Sequence, residues 1–404
     1  MNKLGVQNLD LADKRVLVRV DFNVPLDGEG NITDGTRIRA ALATLRLILD
    51  AGGRPVIMSH LGRPGGERRE EFTLGPVAAR LENLLGQKVH FAGDCIGPLA
   101  AEVVGRADAG ELVLLENLRF HPGETANDAA FARELAAHGE LYVNDAFGTA
   151  HRAHASTEGV TEYFDQCASG LLMGEELERL GGLLSHPRRP FVAILGGAKI
   201  SGKIEVVENL IDTVDSILIG GGMAFTFFRA MGLDVGDSLV EESLLDSVRA
   251  TLARAKGSRT DILLPEDVVI ADRFAPDAAK KEVLVTDIEP GWRGLDIGSR
   301  TVKRYTDLIE TAGTVFWNGP MGVFEMVAFA RGTRAIARSL ARATDEGTLS
   351  VVGGGDSVAA ISQAGLAHKV THISTGGGAS LEFMAGKELP GVVSLNDAPE
   401  QESR

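Results

Sequence analysis

The chain has 404 residues, 44% hydrophobic and 24% charged, with 49 glycines, 5% aromatics and a formal net charge of −15. That length exceeds one comfortable core and predicts two domains, and the charge argues against nucleic acid or an anionic membrane as the main partner. Cys95 and Cys167 stand far apart without CxxC or Cys/His spacing, which argues against a disulfide scaffold or structural zinc and for a reducing compartment. The opening MNKLGVQNLD has no apolar signal core, and no run of about 18 apolar residues could span a bilayer. A cytoplasmic protein is expected.

Short apolar runs alternate with amphipathic, Ala-rich stretches, the pattern of parallel sheets covered by helices. Strands are predicted at 16–20, 55–58, 89–92, 112–115 and 141–143, with a helix at Thr36–Asp50. A helix follows at about 171–184, and the Pro-punctuated segment 185–190 closes it as the domain boundary. Further strands are predicted at 191–195, 216–219, 262–264, 314–317, 349–352 and 372–374. Residues 397–404 read as a polar, frayed end. The expected fold is α/β, with two Rossmann-like domains, each a parallel sheet flanked by helices, joined by a hinge helix.

The chemistry lies in the loops that leave the strands. The first-half runs end in Asp21-Phe22-Asn23, Ser59-His60-Leu61-Gly62-Arg63, Glu116-Asn117-Leu118-Arg119 and Asn144-Asp145. The second-half runs end in Gly196-Gly197, Gly220-Gly221-Gly222, Asn318-Gly319-Pro320, Gly353-Gly354-Gly355-Asp356 and Thr375-Gly376-Gly377-Gly378. Open parallel sheets bind ligands beyond the carboxyl ends of their strands. One such loop reads as an ordinary turn, but the repetition predicts a site in each half.

In the second half, Gly197-Ala198-Lys199-Ile200-Ser201-Gly202-Lys203 has GxxxxGK spacing. Ile204, however, stands where a P-loop needs a hydroxyl for magnesium, so an ordinary P-loop is rejected. What survives is a strand, two glycines, and a helix start with exposed N–H groups and two lysines. Alone, it reads more readily as a capping turn with solvated lysines. At Gly353–Ser357, Asp356 either caps a helix or holds a magnesium ion that bridges phosphates. Gly220, Gly221 and Gly222 could form a flat wall for adenine, and Glu325 could accept bonds from ribose hydroxyls.

The first half holds Arg37, Arg39, His60, Arg63, Arg119, His121, His151, Arg152 and His154. Arginine suits carboxylate and phosphate because its planar fork donates bidentate bonds. Arg37 and Arg39 point in different directions on one helix, so at least one faces solvent. His121 and His138 read as surface residues. His151-x-x-His154 has a metal-compatible spacing, but no Cys, Asp or Glu completes a set nearby.

These segments resemble the phosphoglycerate kinase family. The resemblance runs through Arg19–Pro25, Thr36–Arg39, His60–Pro64, Leu115–Phe120, Asn144–Gly148, Ala150–His154, Gly196–Lys199, Trp317–Glu325, Gly353–Ser357 and Ser374–Glu382, in order along nearly the whole chain. It implies reversible phosphoryl transfer between ATP and the carboxylate of 3-phosphoglycerate, giving ADP and 1,3-bisphosphoglycerate in glycolysis and gluconeogenesis. Mg2+ is implied as the nucleotide complex, and a monomer is implied as the working state. By position, Asp21, Asn23, Arg37, His60, Arg63, Arg119 and Arg152 are expected to bind phosphoglycerate. Gly197, Lys199, Lys203, Gly220, Gly221, Gly222, Asn318, Pro320, Glu325, Gly354, Gly355, Asp356 and Ser357 are expected to bind nucleotide, with Asp356 the metal ligand. Arg37, Lys199 and Gly377 are expected to act on the transferring phosphoryl group.

By the same resemblance the substrate domain spans 1–170, the hinge 171–187 and the nucleotide domain 188–375, with 376–404 returning to the first domain. Closure is expected about the hinge helix and the segment 374–380. Gly202, where an acidic or polar residue often stands, and the segment 164–168 around Cys167 depart from the family pattern. The nucleophile is an ionised carboxylate, so no general base is required and catalysis rests on positioning and charge neutralisation. Three rivals stand beside this reading: another ATP-dependent small-molecule kinase, a Rossmann dehydrogenase, which lacks its GxGxxG here, and a non-catalytic homologue.

Overall fold

Runs of Val, Ile and Leu that bury both faces of a strand read as unbroken apolar segments, and they become the centres of two parallel sheets. The computed structural model describes residues 2–399. The first strands are β1 (Arg15–Arg19), β2 (Arg54–Met58), β3 (Val89–Phe91), β4 (Leu112–Leu114), β5 (Leu141–Asn144) and β6 (Cys167–Ser169). They lie in the order β3-β4-β2-β1-β5-β6, every pair parallel. Register is set at the centre, where Val18 faces Ile57 on one side and Val143 on the other.

The chain continues with β7 (Phe191–Leu195), β8 (Ser216–Ile219), β9 (Asp261–Leu263), β10 (Asp267–Ala271), β11 (Lys280–Leu284), β12 (Arg293–Ile297), β13 (Thr314–Asn318), β14 (Leu349–Gly353) and β15 (His372–Ile373). A second parallel sheet has the order β15-β14-β13-β7-β8-β9. A small antiparallel sheet, β11-β10-β12, is not expected from the sequence. Nor is β6. It is three residues long and is fixed by long-range bonds, with Cys167 N donating to Asn396 Oδ1 at 2.6 Å.

Helices cover the sheets for the expected reason. Thr36–Asp50 buries Ile38, Ala41, Leu42, Leu45 and Ile48, one face at helical spacing. Its start is fixed by Asp34, whose Oδ1 accepts from Thr36 N at 2.8 Å. No helix among the described residues is long and apolar enough to cross a membrane.

Two units result. One takes the chain to Glu178 and resumes at Glu388, and the other is Arg179–Lys387. The division falls within the helix Leu171–Ser185, and the return lies further along than the 376 expected. The cause is local. The helix Gly378–Met384 belongs to the second unit, where Asn209 Nδ2 donates to Met384 O at 2.8 Å and Lys387 pairs with Glu205 at 2.5 Å. In the first unit, Asp397 pairs with Lys3 at 2.8 Å, so that part of the expected frayed end is held. Residues 400–404 lie outside the described residues.

Candidate functional site

In the first unit the loops at the carboxyl ends of β1, β2 and β4 are tied together by side chains that the motifs carry. Asn23 Oδ1 accepts from Gly62 N at 2.8 Å, and Phe22 N donates to Ser59 Oγ at 2.8 Å. Asn117 joins two loops: its Oδ1 accepts from Leu61 N and Arg119 N, and its Nδ2 donates to Leu61 O at 2.7 Å. Buried Glu116 accepts from Leu74 N and Thr73 Oγ1 at 2.9 and 2.7 Å. Gly62 is required as glycine, because φ is +63° and a Cβ would stand 2.3 Å from Phe72.

Arg63 and Arg119 on these loops, with Arg152, line a cleft of about 490 Å3 that His121 and His154 also line. Arg119 Nη1 donates to Gly62 O at 2.7 Å, while its buried Nε has no partner. Burial, then the charges of Arg19 and Arg152, push the Arg119 guanidinium down to about 10. Such a cationic cluster gains when an anion arrives. Arg37 and Asp21 pair with each other at 2.5 Å. Those two, Asn23 and His60 stand outside the lining of this cleft.

Beneath the cleft runs a buried network. Arg19, 1% exposed, donates from Nε to Ser156 Oγ at 2.8 Å and lies 3.1 Å from His60 Nδ1 through Nη2. Ser156 donates in turn to Glu124 Oε1 at 2.7 Å from its hydroxyl and to Oε2 at 3.0 Å from its backbone. His154 Nδ1 approaches the same carboxylate at 3.7 Å. Burial would raise the Glu124 carboxyl, but His154, Arg19 and Ser156 together hold it below the ordinary carboxylate range.

In the second unit the strand order reverses between β7 and β13, a crevice that suits a ligand. Its walls are backbone. Gly197 N donates to Pro320 O at 2.8 Å, Gly221 N to Met321 O at 3.0 Å and Met223 N to Gly197 O at 3.0 Å. A Cβ on Gly196 would stand 2.1 Å from Pro320 O, so the glycines serve first to let three loops touch. A cleft of about 640 Å3 opens there, lined by Gly197, Gly221, Gly222, Pro320, Glu325 and Asp356, with Leu239 and Phe274 as apolar walls.

A second cleft, of about 220 Å3, is lined by Lys203, Asn318, Gly354, Gly355, Ser357 and Gly377 and shares Asp356. Asn318 Nδ2 is buried without a partner. Gly319 N donates to Ser357 Oγ, linking the two loops. Burial pushes the Lys203 ammonium down to about 8, with Asp356 opposing the shift. Asp356 is exposed in the first turn of the helix Gly355–Gln363, whose N-cap position is Gly354.

The profile of the phosphoglycerate kinase family matches residues 6–387. The chain belongs to that family. It is 57% identical to the phosphoglycerate kinase of Chlorobaculum tepidum over 98% of this chain and 100% of that one. To the phosphoglycerate kinase of a Picosynechococcus species it is 54% identical, over 98% and 100%. The structure of phosphoglycerate kinase from Coxiella burnetii matches with a TM-score of 0.88 at 39% identity, covering 97% of this chain and 98% of that one. That from Pyrococcus horikoshii gives 0.82 at 33%, with the same coverage. Membership in this family makes the chain a kinase and removes the dehydrogenase reading.

Against the family pattern, several expected residues stand apart from the clefts. Lys199 is exposed and lines neither nucleotide-side cleft. Gly220 packs behind the wall, where a Cβ would stand 2.4 Å from Met321 Sδ, so only Gly221 and Gly222 face the larger cleft. Of the N–H groups expected to be open after Gly196–Lys199, those of Ile200 and Ser201, ahead of the helix Ile204–Leu210, are taken, because Glu241 Oε2 accepts from them at 2.6 and 3.0 Å. Lys203 donates to Gly196 O.

Sequence reasoning does not single out Arg19, Glu124 or Glu241. Arg19 stands at the head of the first family motif, Arg19–Pro25. Glu124 and Glu241 carry no local signal, since each acts on groups distant in the chain.

Proposed function

We propose that the chain transfers a phosphoryl group reversibly between ATP and the carboxylate of 3-phosphoglycerate, giving ADP and 1,3-bisphosphoglycerate. The observation that carries this reading is the arginine cleft: Arg63, Arg119 and Arg152 line it together, and the buried Nε of Arg119 lacks a partner. A doubly ionised phosphate and a carboxylate are the complement of such a cluster.

In this reading Arg63, Arg119 and Arg152 hold the phosphate of phosphoglycerate, and His60, Asp21 and Asn23 support the loops around it. Arg37, anchored on Asp21, neutralises the substrate carboxylate and the group in transfer. On the other unit, Gly197, Gly221, Gly222, Pro320 and Glu325 hold the nucleoside. Lys203, Asn318, Gly354, Gly355 and Ser357 hold its phosphates. Lys199 follows the transferring phosphoryl, and the backbone at Gly377 adds a donor. Asp356 fits magnesium, since it is an exposed carboxylate that lines both clefts of this unit. When bound, the ion neutralises phosphate charge.

The nucleophile arrives ionised, so these residues orient the reactants and offset charge, and no side chain has to remove a proton. An in-line transfer requires the two ligands to meet, so turnover includes closure about the helix Leu171–Ser185. The same reading makes the chain a cytoplasmic monomer that acts on free small molecules. Its acidic charge and its two free buried thiols support that.

A coupled assay of ADP formation with and without 3-phosphoglycerate tests the proposal. Turnover that ignores 3-phosphoglycerate ends it and favours another kinase substrate. Lys199→Ala and Arg37→Ala should each lower kcat by on the order of 10²–10³. Unchanged turnover in either removes only that residue's role.

A further inference from the structure

Beside the arginine cleft, three side chains of different donor chemistry converge that the phosphoryl transfer does not use. Asp94 and Cys95 follow β3, and His121 precedes the short helix Pro122–Thr125. A carboxylate oxygen, the thiol sulfur and an imidazole nitrogen all lie within 4.8 Å of one another. His121 Nε2 is 2.7 Å from Asp94 Oδ1, which also accepts from Cys95 N at 2.7 Å. The His121 ring is steadied by Phe131, with centroids 5.3 Å apart. Among the described residues no other set of three such donors comes together.

We propose that Asp94, Cys95 and His121 form a binding site for a borderline-soft divalent cation, zinc foremost, distinct from the magnesium that accompanies the nucleotide. Thiolate and imidazole favour zinc over magnesium or calcium, which take oxygen ligands. Three protein ligands leave the fourth tetrahedral position to water or to an anion in the cleft that His121 lines.

Binding is an exchange of protons for metal, without electron transfer. The Cys95 S–H bond breaks, its proton leaves to solvent and a sulfur–metal bond forms. His121 binds through one ring nitrogen and keeps a proton on the other. Without metal, burial and then the charge of Asp94 push the Cys95 thiol well above its ordinary range, so the site rests as a buried thiol beside a His–Asp pair. A bound cation deprotonates the thiol outright.

The test uses the full chain, stripped with EDTA and titrated with Co2+ and then Zn2+. One Co2+ per chain is expected, with a near-ultraviolet thiolate-to-cobalt charge-transfer band that Zn2+ bleaches and excess Mg2+ leaves intact. Cys167→Ala should keep the band and Cys95→Ala should abolish it. His121→Ala, at a partly exposed ring, should weaken Zn2+ binding by at least about ten- to hundredfold. If Cys95→Ala fails to fold by circular dichroism, His121→Ala and Asp94→Asn decide by the same band. No band, a band that survives Cys95→Ala, or affinity unchanged in both His121→Ala and Asp94→Asn overturns the proposal.

Discussion

Nη2 of Arg19 lies 3.1 Å from Nδ1 of His60, and both side chains are buried. Arginine only donates, so Nδ1 accepts and the ring is neutral. Burial first, then the charges of Arg19, Arg119, Arg37 and Arg152, holds His60 well below the ordinary imidazole range. Below about pH 6.5 the unfolded chain therefore takes up a proton that the folded chain refuses. The contribution of His60 to stability is present above that pH and is lost as pH falls, by up to about 1.4 kcal/mol per unit. Urea unfolding of wild type and His60→Gln across this range should show their stability difference shrinking toward acid. A difference that stays constant means that His60 titrates normally.

Arg119 makes a second point about the cleft. Its Nη1 is committed to Gly62 O at 2.7 Å, leaving the buried Nε for a ligand. Lysine keeps the charge but not the fork. Arg119→Lys is expected to raise the KM for 3-phosphoglycerate by about ten- to hundredfold, the 1.5–3 kcal/mol of a charge-assisted bond. The KM for ATP should stay near wild type. Equal effects on both substrates would assign Arg119 to the fold rather than to the anion.

The parallel sheets were legible because their strands are buried on both faces, as in Phe191–Leu195, where every residue is buried. The antiparallel sheet was not. Lys280–Leu284 alternates in burial but reads Lys-Lys-Glu-Val-Leu, which resembles a charged loop. The nucleotide loops were legible as glycines after strands, yet their roles divide in a way that depends on neighbours. Gly221 faces the cleft, whereas Gly220 faces Met321. Glu241 lies 40 residues from Ser201, whose N–H it accepts, and no pattern near either residue announces the bond. Asp94, Cys95 and His121 fail any spacing rule and meet only because β3 and β4 are neighbours.

Lys203 predicts an alkaline limit. Burial pushes its ammonium down to about 8, with Asp356 working the other way. Above that pH the free protein loses a charge that attracts nucleotide phosphate, so ADP affinity should fall, and Lys203→Arg should move the fall to higher pH. Stability changes in the opposite direction. The unfolded lysine keeps its proton to about 10.4, so between the two values the unfolded state binds more protons and this group makes stability rise with pH. Calorimetric titration of ADP beside urea unfolding at each pH separates the two effects. An affinity in Lys203→Arg that falls at the same pH as wild type assigns the limit to another group.

Gly354 and Gly347 offer a matched pair. Both have positive φ, +85° and +104°, so alanine is strained at either, by on the order of 1–3 kcal/mol. They differ in what a Cβ would meet. At Gly347 nothing lies within 4 Å, whereas at Gly354 the Cβ would stand 2.8 Å from Asn318 Nδ2. That amide is the buried donor without a partner, and Gly354 also sets the turn into the helix Gly355–Gln363. Gly354→Ala must therefore displace Asn318 from the smaller cleft, while Gly347→Ala leaves the cleft as it is. Both variants should unfold at lower urea by a similar margin, and only Gly354→Ala should lose ADP affinity in calorimetry. Equal ADP affinities at matched folding would remove the Asn318–Gly354 junction from the nucleotide site, because the strain is common to both positions and the displaced amide is not.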